Sequence, residues 1–230
     1  MKTISSLEGI QYLTNLQSLD VSTTSVSDLS PVKNSSLKRL DCRSSKVGSV
    51  DLTRYPNLEA FLCDNTSINS LDVSKNEKLN TLFADSTSIS NLDVTNNPNL
   101  EQLSCSNTGL MELDVTHNPQ LVTLDIGDTK VKTLDISKNP NLKQLSCYMT
   151  NIAELDVTKN TILTRLFCHD TTIKKLDLSN NLELEMLRCG EIFEQGIRGL
   201  DISKNTKFKK LICDDLYWLN VGENKVLENN

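Results

Sequence analysis

From Leu16 onward the apolar positions of the chain return with a period of 21 residues. Leu16, Leu37, Leu58, Leu79, Leu100, Leu121, Leu142, Leu163 and Leu184 keep that spacing, and Phe208 follows after a slip of three residues. Ten units result, each close to LxxLxCxxTxIxxLDVSxNPx. In the unit beginning at Leu100, positions 1, 4, 6, 11, 14 and 16 are Leu100, Leu103, Cys105, Leu110, Leu113 and Val115, with mostly polar residues between them. Positions 2 to 7 alternate polar and apolar, which is the period of a strand and not of a helix. Most units carry Asn at position 19, and Asn97-Pro98, Asn118-Pro119, Asn139-Pro140 and Tyr55-Pro56 add a proline that fixes φ in a turn. Each unit therefore reads as a short strand, a turn, a second extended or 3₁₀ segment around the LDVS phrase, and a turn back. One unit cannot bury its leucines, but stacked units can. The pattern predicts a β-solenoid with little or no α-helix in a single domain over 1–230: a partial repeat over 1–15, the ten repeats, and a three-residue insertion within 190–199.

Composition explains why repetition must organise the core: of 230 residues, 37% are apolar but only 4% aromatic, too few for an ordinary two-layer domain. The 24 Lys and Arg against 30 Asp and Glu leave a net charge of −6. That balance argues against binding a nucleic-acid backbone, which needs a basic face, and against docking on an anionic membrane. No apolar run approaches a membrane span. The opening Met1 to Gly9 has no continuous apolar segment that could serve as a signal peptide, so the expectation is a cytoplasmic protein or a trimmed piece of an exported one.

The repeats resemble bacterial leucine-rich repeats of the internalin type. The opening Leu7-Glu8-Gly9-Ile10-Gln11-Tyr12-Leu13-Thr14-Asn15-Leu16 is similar to the internalin repeat phrase, and a 21-residue unit with Cys in place of one strand leucine resembles the cysteine-ladder branch of that family. The chain departs from the family in lacking a helical cap before residue 7, a wall-anchoring or immunoglobulin-like segment after the last repeat, and a signal peptide, which leads us to expect a piece of a longer protein. The resemblance implies a leucine-rich repeat solenoid with a curved parallel β-sheet on its concave side and extended or 3₁₀ segments on its convex side. Ten strands at the usual spacing would make a rod roughly 45 Å long. The implied function is recognition by a secreted or cell-surface monomer, in adhesion, host interaction or virulence, through side chains on the exposed rows.

Seven cysteines, Cys42, Cys63, Cys105, Cys147, Cys168, Cys189 and Cys213, occupy the ladder position, which Val21, Ala84 and Ile126 fill in other units. Disulfides and a metal site are the alternatives to buried thiols; no CxxC pair suits zinc, and a ladder of in-register strands favours seven reduced thiols. A second column holds Asp51, Asp72, Asp93, Asp114, Asp135, Asp156, Asp177 and Asp201, each followed two residues later by Ser or Thr. Stacked carboxylates roughly 5 Å apart repel by about 1 kcal/mol per pair even in water. Local hydrogen bonds to the backbone and hydroxyl groups two residues on can hold them. One carboxylate per unit is a poor supply for calcium, which needs six or more oxygens, and no metal or cofactor is expected. The Asn column and the Thr column at position 9 fall at turns, where their expected role is to satisfy backbone groups.

Catalysis has little support. The only histidines are His117 and His169, and His169 follows Cys168 directly in a strand, so the two point to opposite faces and cannot form a dyad. No phosphate loop, nucleophile elbow or dinucleotide fingerprint appears, and the expectation is no enzymatic activity. What remains is the exposed face at positions 3, 5 and 7. Tyr148, Arg165, Phe167, His169, Met186 and Arg188 fall there on three consecutive strands, an aromatic, Met and Arg mixture suited to anchoring a partner, and Leu62 and Phe83 form a smaller pair on neighbouring strands. A protein ligand is the expected partner. A glycan stacking on Tyr148 and Phe167, or a spacer that displays other domains, are the alternatives.

Overall fold

A computed structural model describes residues 4–190, 196–213 and 216–222. The strands are β1 (Ser18–Asp20), β2 (Arg39–Asp41), β3 (Ala60–Leu62), β4 (Thr81–Phe83), β5 (Gln102–Ser104), β6 (Thr123–Asp125), β7 (Gln144–Ser146), β8 (Arg165–Phe167), β9 (Met186–Cys189), β10 (Gly199–Asp201), β11 (Lys210–Cys213) and β12 (Trp218–Asn220). β1 to β9 and then β11 form one ten-stranded parallel sheet in sequence order. Its register is set by the repeat: Leu19, Leu40, Phe61, Leu82, Leu103, Leu124, Leu145, Leu166, Leu187 and Leu211 face one another from strand to strand. Strand alternation turns these and the ladder position inward, where they meet the position 11 row, Val26, Val47, Ile68, Ile89, Leu110, Val131, Ile152 and Ile173, in one continuous core. Helical structure among the described residues is confined to two 3₁₀ turns, Ile10–Tyr12 and Leu52–Arg54. The sheet lines the concave side of a leucine-rich repeat solenoid.

The bend that takes the chain off each strand explains the Thr column. Thr23, Ser44, Asn65, Ser86, Asn107, Asp128, Met149 and Asp170, at position 8, all adopt φ between 52 and 55°. The hydroxyl of the next residue then donates to the carbonyl three residues back, at 2.6 to 2.8 Å from Thr24, Thr66, Thr87, Thr108, Thr129, Thr150 and Thr171. The Asn column fastens each repeat to the one before. Asn118 Nδ2 donates to the carbonyls of Val94 and Asn97 at 2.9 and 2.8 Å, and the Asn118 carbonyl accepts from Asn139 Nδ2 at 2.8 Å. Where Tyr55 replaces the Asn, its hydroxyl reaches back to the Val32 carbonyl at 3.1 Å.

On the outer edge the aspartates are held one at a time. Asp72, Asp114 and Asp156 accept from the N–H groups of Ser74, Thr116 and Thr158 at 2.9, 2.8 and 2.8 Å. Hydroxyl bonds first and N–H bonds second hold Asp72, Asp93, Asp114, Asp156 and Asp201 below the usual carboxylate range, and Asp135 and Asp177 are lowered by the same bonds in reverse order of weight. A folded-state pKa below the unfolded one stabilises above the unfolded value and is lost as pH falls through the folded one. Stability should therefore decline in acid. A strong chelator at neutral pH should leave Tm unchanged in a thermal melt; a fall of several degrees, reversed by calcium, would show that a cation and not local hydrogen bonds holds the column.

The structure corrects one expectation about the cysteines. Cys189 of β9 and Cys213 of β11 are disulfide-bonded, with Cα atoms 4.6 Å apart, whereas Cys42, Cys63, Cys105, Cys147 and Cys168 are free and buried. The insertion separates these two cysteines by 24 residues, yet β11 still pairs directly with β9 in register. Direct strand neighbours lie within the Cα separation a disulfide spans, about 4.4 to 6.8 Å. Burial is the main force that pushes the Cys42 and Cys168 thiols up to about 12, and it raises Cys63, Cys105 and Cys147 as well, so these thiols are poor nucleophiles in the folded state. In denaturant without reductant a thiol reagent should count the five free cysteines, rising by two after reduction. Seven from the outset would remove the bridge.

The last repeats also do something the pattern did not announce. Two successive LDIS-type segments, β10 and β12, pair as a second, two-stranded parallel sheet. Gly199 makes this fit, since a Cβ there would fall inside the Trp218 ring. Of the insertion expected within 190–199, residues 191–195 lie outside the described residues.

Candidate functional site

The concave surface is built from positions 3, 5 and 7 of each repeat, and in-register stacking turns each position into a row across the sheet. Tyr148 and His169 are neighbours in the position 7 row, their rings stacked with centroids 5.1 Å apart and an interplanar angle of 10°. Phe167 faces Arg188, and Arg165 faces Met186, across β8 and β9. Phe167, Tyr148, His169 and Met186 are half-buried and both arginines are exposed. The six residues that the spacing grouped thus lie on adjoining strands of one face.

Leu62 departs from expectation. Strand alternation places it in the exposed pair with Phe83, but only 3% of it is accessible. Its register neighbours are Asp41 and half-buried Phe83, and on a concave sheet outward side chains crowd together. Asp41 is itself 1% exposed, because Arg43 Nε and Nη2 donate to its two oxygens at 2.9 and 2.7 Å and Arg39 Nη2 donates at 3.1 Å. Phe83 remains on the surface, separated from the larger group by β5 and β6.

Two features of the concave face are not evident from the repeat pattern. Gly127 lies under Tyr148: a Cβ there would fall within the phenol ring, so the glycine lets Tyr148 lie across β6. Burial first and Asp125 second raise the pKa of the Tyr148 hydroxyl, against the opposing influence of the Ser106 side chain. The signal was a glycine in the position 7 row 21 residues before the tyrosine. Met149, beside Tyr148, is the one large apolar residue in the left-handed position 8 column and is 52% exposed. Such a conformation in a bulky residue costs energy, and it adds an apolar side chain to the patch.

Toward the N-terminal strands the face turns acidic. Asp85 Oδ1 accepts from Ser104 Oγ at 2.6 Å and from the Ser106 N–H at 2.7 Å. Asp64 Oδ1 accepts from the Asp85 N–H at 2.9 Å, and Asp125 Oδ1 accepts from the Gly127 N–H at 2.9 Å. Burial raises the Asp64 pKa to about 6 and raises Asp125 too, in each case opposed by the backbone hydrogen bond. Among the described residues no group of three His, Cys, Asp or Glu side chains is placed to hold a metal ion, and no helix is long and apolar enough to cross a membrane.

No protein-family profile and no curated protein sequence matches the chain. Solved structures do. The functional domain of InlJ from Listeria monocytogenes, which includes a cysteine ladder, is 28% identical over 98% of this chain with a TM-score of 0.74. InlF, an internalin of the same organism, superposes with a TM-score of 0.81 at 20% identity over 94% of this chain and 72% of its own. A leucine-rich-repeat protein of Leptospira interrogans gives a TM-score of 0.80 at 19% identity over 94% of this chain. This chain spans 59% of the InlJ domain and 60% of the Leptospira protein. The likeness at lower identity is one of fold, and the InlJ match is to a domain that includes a cysteine ladder: the chain has the leucine-rich-repeat fold and is similar to internalin-type structures.

Proposed function

We propose that this chain is a non-enzymatic recognition module of a secreted or cell-surface protein, binding a protein ligand through its concave face in adhesion or host interaction. The observation that carries the reading is the Tyr148–His169 stack, laid over Gly127 and adjoining Phe167, Met186 and the exposed Arg165 and Arg188. Rings held by stacking lose little rotamer freedom when a partner docks, and aromatic and Arg anchors dominate interface energetics. Half-burial of the rings leaves a surface to cover without requiring the core to open. The test is a screen of the purified chain on arrays of extracellular proteins and of glycans, repeated with a Phe167→Ala, Met186→Ala double variant. Protein hits that disappear with the double variant support the proposal. Hits confined to glycans would replace it with sugar stacking on Tyr148 and Phe167, and hits that ignore the double variant would move the site elsewhere.

A further inference from the structure

The concave face is divided by charge. In β3 to β6 and the residue two places beyond each, the outward positions are Ala60, Leu62, Asp64, Thr81, Phe83, Asp85, Gln102, Ser104, Ser106, Thr123, Asp125 and Gly127, with no Lys or Arg. On β8, β9 and β11 the described outward positions include Arg165, Arg188 and Lys210 and no carboxylate. Asp41, just before the acidic half, shows what compensation looks like on this face, with two arginines bound to it. Asp64, Asp85 and Asp125 take part in no ion pair among the described residues. The protein's hydrogen bonds to Asp64 and Asp85 all end on Oδ1, which leaves the second oxygen of each for a donor from outside.

Resting on the concave-face reading above, we propose that β3 to β6 seat a basic segment of the protein partner, with an Arg or Lys side chain entering among Asp64, Asp85 and Asp125. The argument is charge complementarity on a preformed surface. Partly desolvated carboxylates that make no ion pair are costly to the free protein, Asp64 being offset only in part by Arg43, and a guanidinium or ammonium relieves that cost while its stem lies along Phe83 and the Tyr148 ring. The donors already spent on Oδ1 fix the carboxylates in place, so an incoming cation meets oriented acceptors. A metal ion suits the place less well, because these side chains do not converge into a ligand set. The opposite charge on β8, β9 and β11 also orients the partner: its basic stretch lies toward the N-terminal strands and its apolar or acidic stretch over Phe167, Arg165 and Arg188.

Titration supports the geometry. Asp64 is raised to about 6, by burial first, against the backbone bond from Asp85; Asp85 and Asp41 raise it and Arg43 lowers it. A bound cation favours the ionised carboxylate, so binding near pH 6 should release a proton, and affinity should rise as pH climbs through that region.

The probes are labelled hexa-arginine and hexa-glutamate peptides, measured by fluorescence anisotropy at physiological ionic strength. Hexa-arginine should bind and hexa-glutamate should not. The double variant Asp64→Asn, Asp85→Asn should weaken hexa-arginine binding about tenfold or more. The double variant Asp93→Asn, Asp114→Asn, which removes the same charge from the outer aspartate column, should change it less than about twofold. Equal losses in both variants would show attraction to net charge alone and overturn the proposal. Calorimetry of the unaltered chain in two buffers of different ionisation enthalpy at pH 6 supplies a readout that needs no variant: proton release supports the proposal and its absence contradicts it. Should hexa-arginine fail to bind while Phe167→Ala still abolishes a protein hit, the basic-segment proposal falls and the concave-face reading stands.

Discussion

Replacing Leu124 by Ala should cost roughly 2 to 5 kcal/mol of unfolding free energy, through the lost transfer term and the cavity left behind. Leu124 is fully buried at the middle of β6, in register between Leu103 and Leu145. Neighbouring repeats fix its surroundings from both sides, so the site has little room to collapse. The same change at Leu219, 41% exposed on β12, removes far less burial and should cost under about 1 kcal/mol. In a solenoid each repeat touches only its neighbours, and the difference measures how evenly energy is distributed along the rod. Urea denaturation of both variants checks it, and equal losses would point to a globular core instead of stacked repeats.

A polar substitution should be comparably severe. Asn118 is fully buried and its amide donates to two carbonyls of the preceding repeat. Changing it to Ala removes both inter-repeat bonds and leaves the Val94 and Asn97 carbonyls with only the N–H groups of Asn97 and Leu100, at about 0.5 to 1.5 kcal/mol for each lost bond, or roughly 1 to 3 kcal/mol together. Asn141 supplies the control. Its amide makes a 3.2 Å bond to the Pro119 carbonyl at the exposed turn, where water can replace it, so Asn141→Ala should cost less than about 1 kcal/mol. If the two alanine variants melt alike, the Asn column is a turn preference and not an inter-repeat clamp.

These two positions also show why so much of the fold was legible. A repeat restates each packing demand once per turn, so Leu124 and Asn118 carry the same message as their counterparts 21 residues away. The inward rows, the parallel register and the column roles all follow from that redundancy. What stayed hidden lies where one repeat differs from its neighbours or where two rows meet in space. The cysteine column looks uniform, yet bridging is confined to Cys189 and Cys213, on either side of the insertion. Leu62 alternates outward like Ser104, and its burial depends on Asp41, Phe83 and the curvature that crowds them. The place of Tyr148 depends on Gly127, a residue whose contribution is an absent side chain. Position 8 could have been read, since Asn, Asp and Ser tolerate the left-handed region, but Met149 and Thr23 in the same column obscured it. Asp64, Asp85 and Asp125 occupy ordinary polar slots, and their distinction, partial burial with no ion pair among the described residues, exists only in three dimensions.

The central claim is that the β7 to β9 patch is a recognition surface standing on an independent core. It is tested most directly by measuring, for one protein hit from the array, both Tm and affinity with the unaltered chain, Phe167→Ala, Tyr148→Ala and Ser18→Ala. Phe167 and Tyr148 face outward where Leu166 and Cys147 face inward, so each alanine variant should stay within about 1 kcal/mol of the parent's stability while losing about 2 kcal/mol or more of binding energy. Ser18→Ala, on the same face at β1, should alter neither. Phe167→Ala or Tyr148→Ala variants that fold and bind like the parent would contradict the account.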